Sequence, residues 1–296
     1  MLQHTFQHIQ GIGEKTEKRL WRAGVTHWLS FLDAPHHAPL PQGHRDAVCA
    51  ELERSLRALE RRDATYFTTR LAAQQHWRLY PEFGQRVAYV DIETTGGNAH
   101  TSPITVIGLY DGERPRAYVR GENLARFAEE VQDFTLLVTY NGTLFDLPVL
   151  RREFAVPLPP AHIDLRYPLA ALGYRGGLKK IERRLGFERE GPVALLDGWC
   201  AVLLWHSHTR GEKGALATLL RYNLEDVIHL PALLAVVYNS RTQNLPFPIP
   251  PVTVPPAPPI PFGFDAPLIY RILAEAGRWP LTRPAPPEPP IPSGCP

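Results

Sequence analysis

Arg86-Val87-Ala88-Tyr89-Val90-Asp91-Ile92-Glu93 is a short apolar run that closes on two acids. Such a run reads as a buried strand. Side chains alternate along a strand, so Asp91 and Glu93 point to the same face. Two like charges at the end of a buried strand are costly unless a cation neutralises them. A hard divalent ion such as Mg²⁺ or Mn²⁺ does so through oxygen ligands. The same pair also occurs as plain solvent-facing charge at strand ends, so one motif does not decide between the two.

The flanking sequence supplies the sheet. Pro103 to Tyr110 is a second strand, closed by the turn pair Asp111-Gly112, and Arg116 to Arg120 is a third. These three can form an antiparallel meander. Leu124 to Phe134 has helical spacing. Thr135 to Tyr140 is another buried strand, ended by Asn141-Gly142. Beyond it helices are expected at about 145–154, 168–173, 176–185, 196–209 and 214–239. The pattern predicts an α/β fold, a mixed β-sheet flanked by helices.

Two further acidic pieces follow. Asn141-Gly142-Thr143-Leu144-Phe145-Asp146 leaves a strand and opens a helix, with Asp146 in the first turn. Helix capping explains an acid there, but not its arrival at the end of a second buried strand. Tyr222-Asn223-Leu224-Glu225-Asp226 lies mid-helix, where Tyr222 and Asp226 share a face. An acid leaning inward beside a tyrosine needs a partner.

Strand DxE, then NxxxFD, then YxxxD, in that order, resembles the DEDDy class of 3′–5′ exonucleases of the ribonuclease H-like superfamily. The likeness spans about residues 86–238. More narrowly, the chain is similar to bacterial YprB-like ribonuclease H-like proteins. His76 to Gly96, Gly177 to Gly186 and Leu220 to Leu230 carry that likeness. The resemblance implies a metal-dependent exonuclease holding two divalent ions, Mg²⁺ or Mn²⁺. Asp91 would bridge them. Glu93 and Asp226 would complete the site of the ion that generates hydroxide, Asp146 would hold the second, and Tyr222 would orient the attacking water. Nucleic acid is the implied partner, with DNA, at single-stranded ends, placed ahead of RNA. Thr94, Thr95, Asn141 and Phe145 are expected to hold its end. Lys179, Lys180 and Arg183, in a run with Arg175 and Arg184, are expected to track phosphates. Asp164 is expected to act structurally or behind the site, and Trp199 and Trp205 are expected to be core. The alternatives are a nucleic-acid-binding module that has lost catalysis, an adaptor with the same fold, and an RNA-directed exonuclease.

The rest of the chain is organised around this zone. Phe6 to Leu20 reads as helix, Gly11-Ile12-Gly13 turn, helix, and resembles a helix-hairpin-helix motif within a unit over 1–34. Gly11 and Gly13 let amide groups approach a phosphate, and Lys15 adds charge. The same pattern also serves as a hairpin used only for packing. A helical connector is expected over 43–84, with Val48, Leu52, Leu56 and Leu59 at helical spacing. The exonuclease domain is expected over 85–240. Of 31 prolines 18 follow Gln243, which marks a proline-rich tail over 244–296 with one short helix at 266–277. Docking on the main domain or on a protein partner is the expected use of that helix.

Composition sets the bounds. The chain has 296 residues, 44% hydrophobic, enough for a real core and against global disorder. Its net charge of +2 confines any basic footprint to local patches. Cys49, Cys200 and Cys295 lie far apart, which argues against a disulfide framework and for a cytoplasmic location. No apolar run has the length of a membrane span, and Met1 to Thr5 lacks the layout of a signal peptide.

Overall fold

The computed structural model describes residues 1–97 and 101–278; Cys295 and the tail beyond residue 278 lie outside them. The acid-bearing run forms β1 (Val87–Thr94), the middle strand of a five-stranded sheet. Antiparallel to it lies β2 (Ile104–Tyr110), with Asp91 opposite Gly108 and Glu93 opposite Val106. β3 (Pro115–Val119) pairs antiparallel with β2, completing the expected meander. On the other edge β4 (Leu136–Thr139) runs parallel to β1, and β5 (Ala161–Asp164) parallel to β4. The order is therefore β3-β2-β1-β4-β5. β5 was not expected, because a four-residue strand is too short to show a period of its own.

Helices pack on both faces. The N-terminal unit holds α1 (Glu14–Arg22) and α2 (Trp28–Asp33). The connector is α3 (Gln42–Glu60), α4 (Ala64–Thr68), a 3₁₀ segment over Ala73–Leu79, and α5 (Tyr80–Phe83). Next come α6 (Leu124–Glu130), α7 (Asp146–Glu153), α8 (Arg166–Ala171), α9 (Leu178–Leu185) and α10 (Gly198–Thr209). The helix expected over 214–239 is two, α11 (Ala215–Ile228) and α12 (Leu230–Thr242), with His229 between them. Pro231 sits in the first turn of α12, where its missing N–H ends the preceding ladder. The helix expected before Gly11 is also absent. Thr5 Oγ1 and Phe6 N donate to the buried Glu17 carboxylate at 2.6 and 2.8 Å, which holds this segment in turns.

Alternation along β1 decides where the acids go. Ala88, Val90 and Ile92 enter a core with Leu137, Phe127 of α6 and Val149 and Leu150 of α7. Tyr89 enters the opposite core, which joins Val138, Leu233 and Val237 of α12, the connector and the N-terminal unit. Asp91 and Glu93 follow Tyr89 by strand period onto the face that α11 covers. The tail folds back on the same chain. Phe247, Ile249 and Val252 pack on that second core, and Asn239 pairs with both backbone groups of Val252 at 2.8 and 2.9 Å. α13 (Ala266–Glu275) then buries Leu268, Ile269, Ile272 and Leu273 in a cluster with residues of α10 and α11. Among the described residues no helix is long and apolar enough to cross a membrane.

Candidate active site

β1 and α11 bring three of the expected acids together. Carboxylate oxygens of Asp91, Glu93 and Asp226 all lie within 4.8 Å of one another. Burial drives the Asp91 and Glu93 carboxyls well above their usual range, and the charges of Asp226 and Asp146 push them further. Asp146, at the first position of α7, is outside that tight set but close enough for its charge to act on both. Its Oδ1 is buried without a hydrogen-bond partner, and burial, with the nearby Asp164 and Asp226, pushes its carboxyl up to about 7. Clustered carboxylates that resist ionisation, one with an orphaned oxygen, fit a hard divalent cation.

The acids are held by neighbours of quite different kinds. Asn223 is fully buried, and its Nδ2 donates to Asp91 Oδ2 at 2.9 Å. It reaches that oxygen because Gly108, opposite Asp91, has no side chain; a Cβ there would overlap Asn223 Oδ1 and crowd Val227. Asp226 Oδ1 accepts from Arg189 Nη2 at 2.5 Å, and the same guanidinium donates through Nε to Glu182 at 2.7 Å. Glu182 in turn meets His229 Nδ1 at 3.1 Å. Asp164 holds the loop that launches α7, accepting from the backbone N–H of Asn141 at 2.7 Å and of Thr143 at 3.0 Å. Asn141 takes a left-handed φ of +68°, and its side-chain oxygen accepts from Arg166.

Tyr222 is buried on α11, one turn before Asp226. Burial and the charges of Asp226, Glu93 and Asp91 hold its hydroxyl well above its usual pKa, so it remains a proton donor. Lys179 is not free to track phosphate: its ammonium donates to the Leu196 carbonyl and lies 4.8 Å from the centre of the Tyr222 ring. Lys180 and Arg183 are exposed on α9. Thr94 is buried, its hydroxyl accepting from Gly96 N at 3.3 Å; Thr95 is half-buried, its N–H bound to the Pro103 carbonyl. Phe145 packs on the core over β1 and α7, whereas Leu144 beside it is 60% exposed. Trp205 is core, but Trp199 is 50% exposed and lies over Gly96 in the loop after β1. In the N-terminal unit Gly11 has φ +83° against the His44 ring, Gly13 caps α1, and Lys15 is exposed. These three stand apart from the acid cluster, on other elements.

Sequence reasoning gave no role to Arg189 or Gly108, and no account of Asn223. Asn223 carries a readable signal, since it stands three residues before Asp226 and so on the same helix face. Arg189 carries none, because it comes from the loop after α9.

A mixed sheet in this order, with acids at the end of its central strand and on the helix across it, is the ribonuclease H-like architecture. The family model of the RNase_H superfamily matches residues 88–238, half of the chain, and the chain belongs to that superfamily. Similar solved structures include the family B DNA polymerase from the hyperthermophilic archaeon Pyrobaculum calidifontis, at 18% identity and TM-score 0.41. That match covers 53% of this chain and 24% of the polymerase, so the chain spans about a quarter of that enzyme. Brucella melitensis NrnC with bound Mg²⁺ is similar at 22% identity and TM-score 0.38, covering 53% of this chain and 74% of NrnC. The same protein bound to pGG is similar at 21% identity, with the same TM-score and coverage. None of the curated proteins matches the chain.

Proposed function

We propose that the protein is a metal-dependent nuclease that removes nucleotides from the 3′ end of a nucleic acid. The observation that carries this is the buried convergence of Asp91, Glu93 and Asp226. Asp146, Tyr222 and the order of the motifs support placing it in the DEDDy class, and the narrower likeness to YprB-like proteins rests on the motif residues alone. Asp91, Glu93 and Asp226 would hold a divalent ion, and Asp146 a second. Such ions, when bound, would lower the pKa of an attacking water and stabilise the leaving 3′ oxygen. Tyr222 would donate its hydroxyl proton to a hydrogen bond that orients the water. Asn223 would fix one Asp91 oxygen so that the other is presented at a set angle. A groove of about 680 Å³ lined by Tyr140, Asn141, Arg166, Tyr174 and Arg175 begins at the loop before α7. It offers two guanidinium groups and two phenol rings to a strand leaving the site.

The substrate of this reading is a 3′ end of either sugar, since no described residue carries the expected order of DNA before RNA. The deciding experiment is digestion of 5′-labelled single-stranded DNA, single-stranded RNA and a dinucleotide with Mg²⁺, Mn²⁺ or chelator. A ladder shortening from the 3′ end, dependent on metal and lost in Asp91→Ala and Asp226→Ala, is the expected result. A second reading, a binding module without catalysis, is favoured by Arg189, whose cation already occupies an oxygen of Asp226. Retained binding with no cleavage of any polymer would establish it and overturn the first.

A further inference from the structure

A second charged cavity lies where the N-terminal unit meets the superfamily domain, away from the acid cluster. It has a volume of about 520 Å³ and is walled by α1, the 3₁₀ segment before α5 and the end of α12. Trp77, Arg78 and Arg241 all line it, and each carries a buried nitrogen without a partner: Trp77 Nε1, Arg78 Nη1 and Arg241 Nε. Arg78 is only 4% exposed and rigidly set. Its Nη2 donates to Glu17 at 3.0 Å, its Nε to Gln75 at 2.9 Å, and its guanidinium lies 4.8 Å from the Trp77 ring centre. Burial and the Arg241 charge lower the pKa of Arg78, Glu17 opposes them, and the Arg241 cation faces the same cavity. The carboxylates in the wall are already engaged. Glu17 takes four donors, from Thr5, Phe6, Gln7 and Arg78, and Glu14 is paired with Lys18. Lys18, Arg22, Arg78 and Arg241 thus stand against two carboxylates.

Orphaned buried donors are rare and ask for an acceptor. Guanidinium forks match a tetrahedral oxyanion better than a spherical one, and a surplus of two positive charges matches a dianion. We propose that this cavity is a phosphate-binding site, taking the phosphate group of a small ligand and locking the N-terminal unit to the domain. The site does not depend on nuclease activity. Its test is calorimetric titration of the full-length protein with inorganic phosphate against chloride at matched ionic strength, in chelator. A nucleoside 5′-monophosphate and a short single-stranded oligonucleotide serve as parallel arms to identify the carrier of the group. Saturable one-site binding is expected, with a rise in Tm that follows phosphate concentration. Arg241 is half-exposed near the end of its helix, so Arg241→Gln should fold; it is expected to weaken binding by about tenfold or more. Binding of only the nucleotide or only the oligonucleotide, lost in Arg241→Gln, would support the site and name its carrier. No saturable binding in any arm, or binding unchanged in Arg241→Gln, would mean that water fills the cavity and would overturn the proposal.

Discussion

Asp146 sits where the fold opposes its charge. Burial raises its carboxyl from an ordinary 3.8 to about 7, so folding favours the protonated form. A carboxyl raised in this way stabilises the fold below its ordinary value, and that stability is lost as the pH climbs through about 7. In chelator, Asp146→Asn should therefore match the parent protein below pH 4 and exceed it above pH 7. A gap on the order of 1–4 kcal/mol is expected. Thermal unfolding across that range measures it, and a gap that stays constant with pH would remove Asp146 as its cause. Mg²⁺ should raise the Tm of the parent more than that of the variant, because the variant offers the ion no anionic oxygen at 146. Asn223 makes the complementary case. Its N–H sets one oxygen of Asp91, and Asn223→Leu keeps the shape while removing that donor without adding a charge. Metal affinity, read by calorimetry, is expected to fall about 10- to 100-fold. An unchanged affinity would show that Asp91 orients without help.

Strand and helix pairing explain why these side chains meet at all. β2 places Gly108 directly opposite Asp91, and the absence of a side chain lets Asn223 of α11 lie against the sheet. Gly108→Ala would ordinarily favour a strand. Here the added methyl meets Asn223 and Val227, so α11 must move off β1 and take Asp226 with it. A stability loss of roughly 1–3 kcal/mol is expected, together with loss of the metal-induced Tm rise. A variant of parental stability and metal response would refute the close packing. The meander, the helix that opens at Asp146 and the three motif positions were legible because each rests on local period or a turn pair. β5 was not, since Ala161-His162-Ile163-Asp164 gains its strand character only from pairing with β4. The break between α11 and α12 was written in Pro231 but hidden by continuous apolar spacing. Glu17 shows the opposite failure: a buried acid, reached through tertiary contacts, turned an expected helix into turns.

At the scale of the molecule, the composition marked the proline-rich tail but not its path. Nothing local to the tail says that Val252 pairs with Asn239 or that α13 completes a core with α10 and α11. The same holds at the other end. One hydrophobic core runs from Leu2, Phe6 and Trp28 through Phe67 and Leu79 to Tyr89 and Val138 of the sheet and Leu233 of α12. The zones read along the sequence therefore share an interior, and we expect them to unfold as one unit. Calorimetry in chelator should give a single transition with equal calorimetric and van't Hoff enthalpies. Trp28→Ala provides the sharper test, because Trp28 is fully buried and far in sequence from every acid of the site. The substitution should cost about 3–5 kcal/mol. If the interior is shared, that loss lowers the whole transition, and metal-dependent stabilisation of the acid cluster then begins from the lowered Tm. If the N-terminal unit melts by itself, the trace splits: one early transition moves with Trp28→Ala, and a later one, still responsive to Mg²⁺, does not. The continuity of the core predicts the first pattern, and observing the second would break the chain into independent domains.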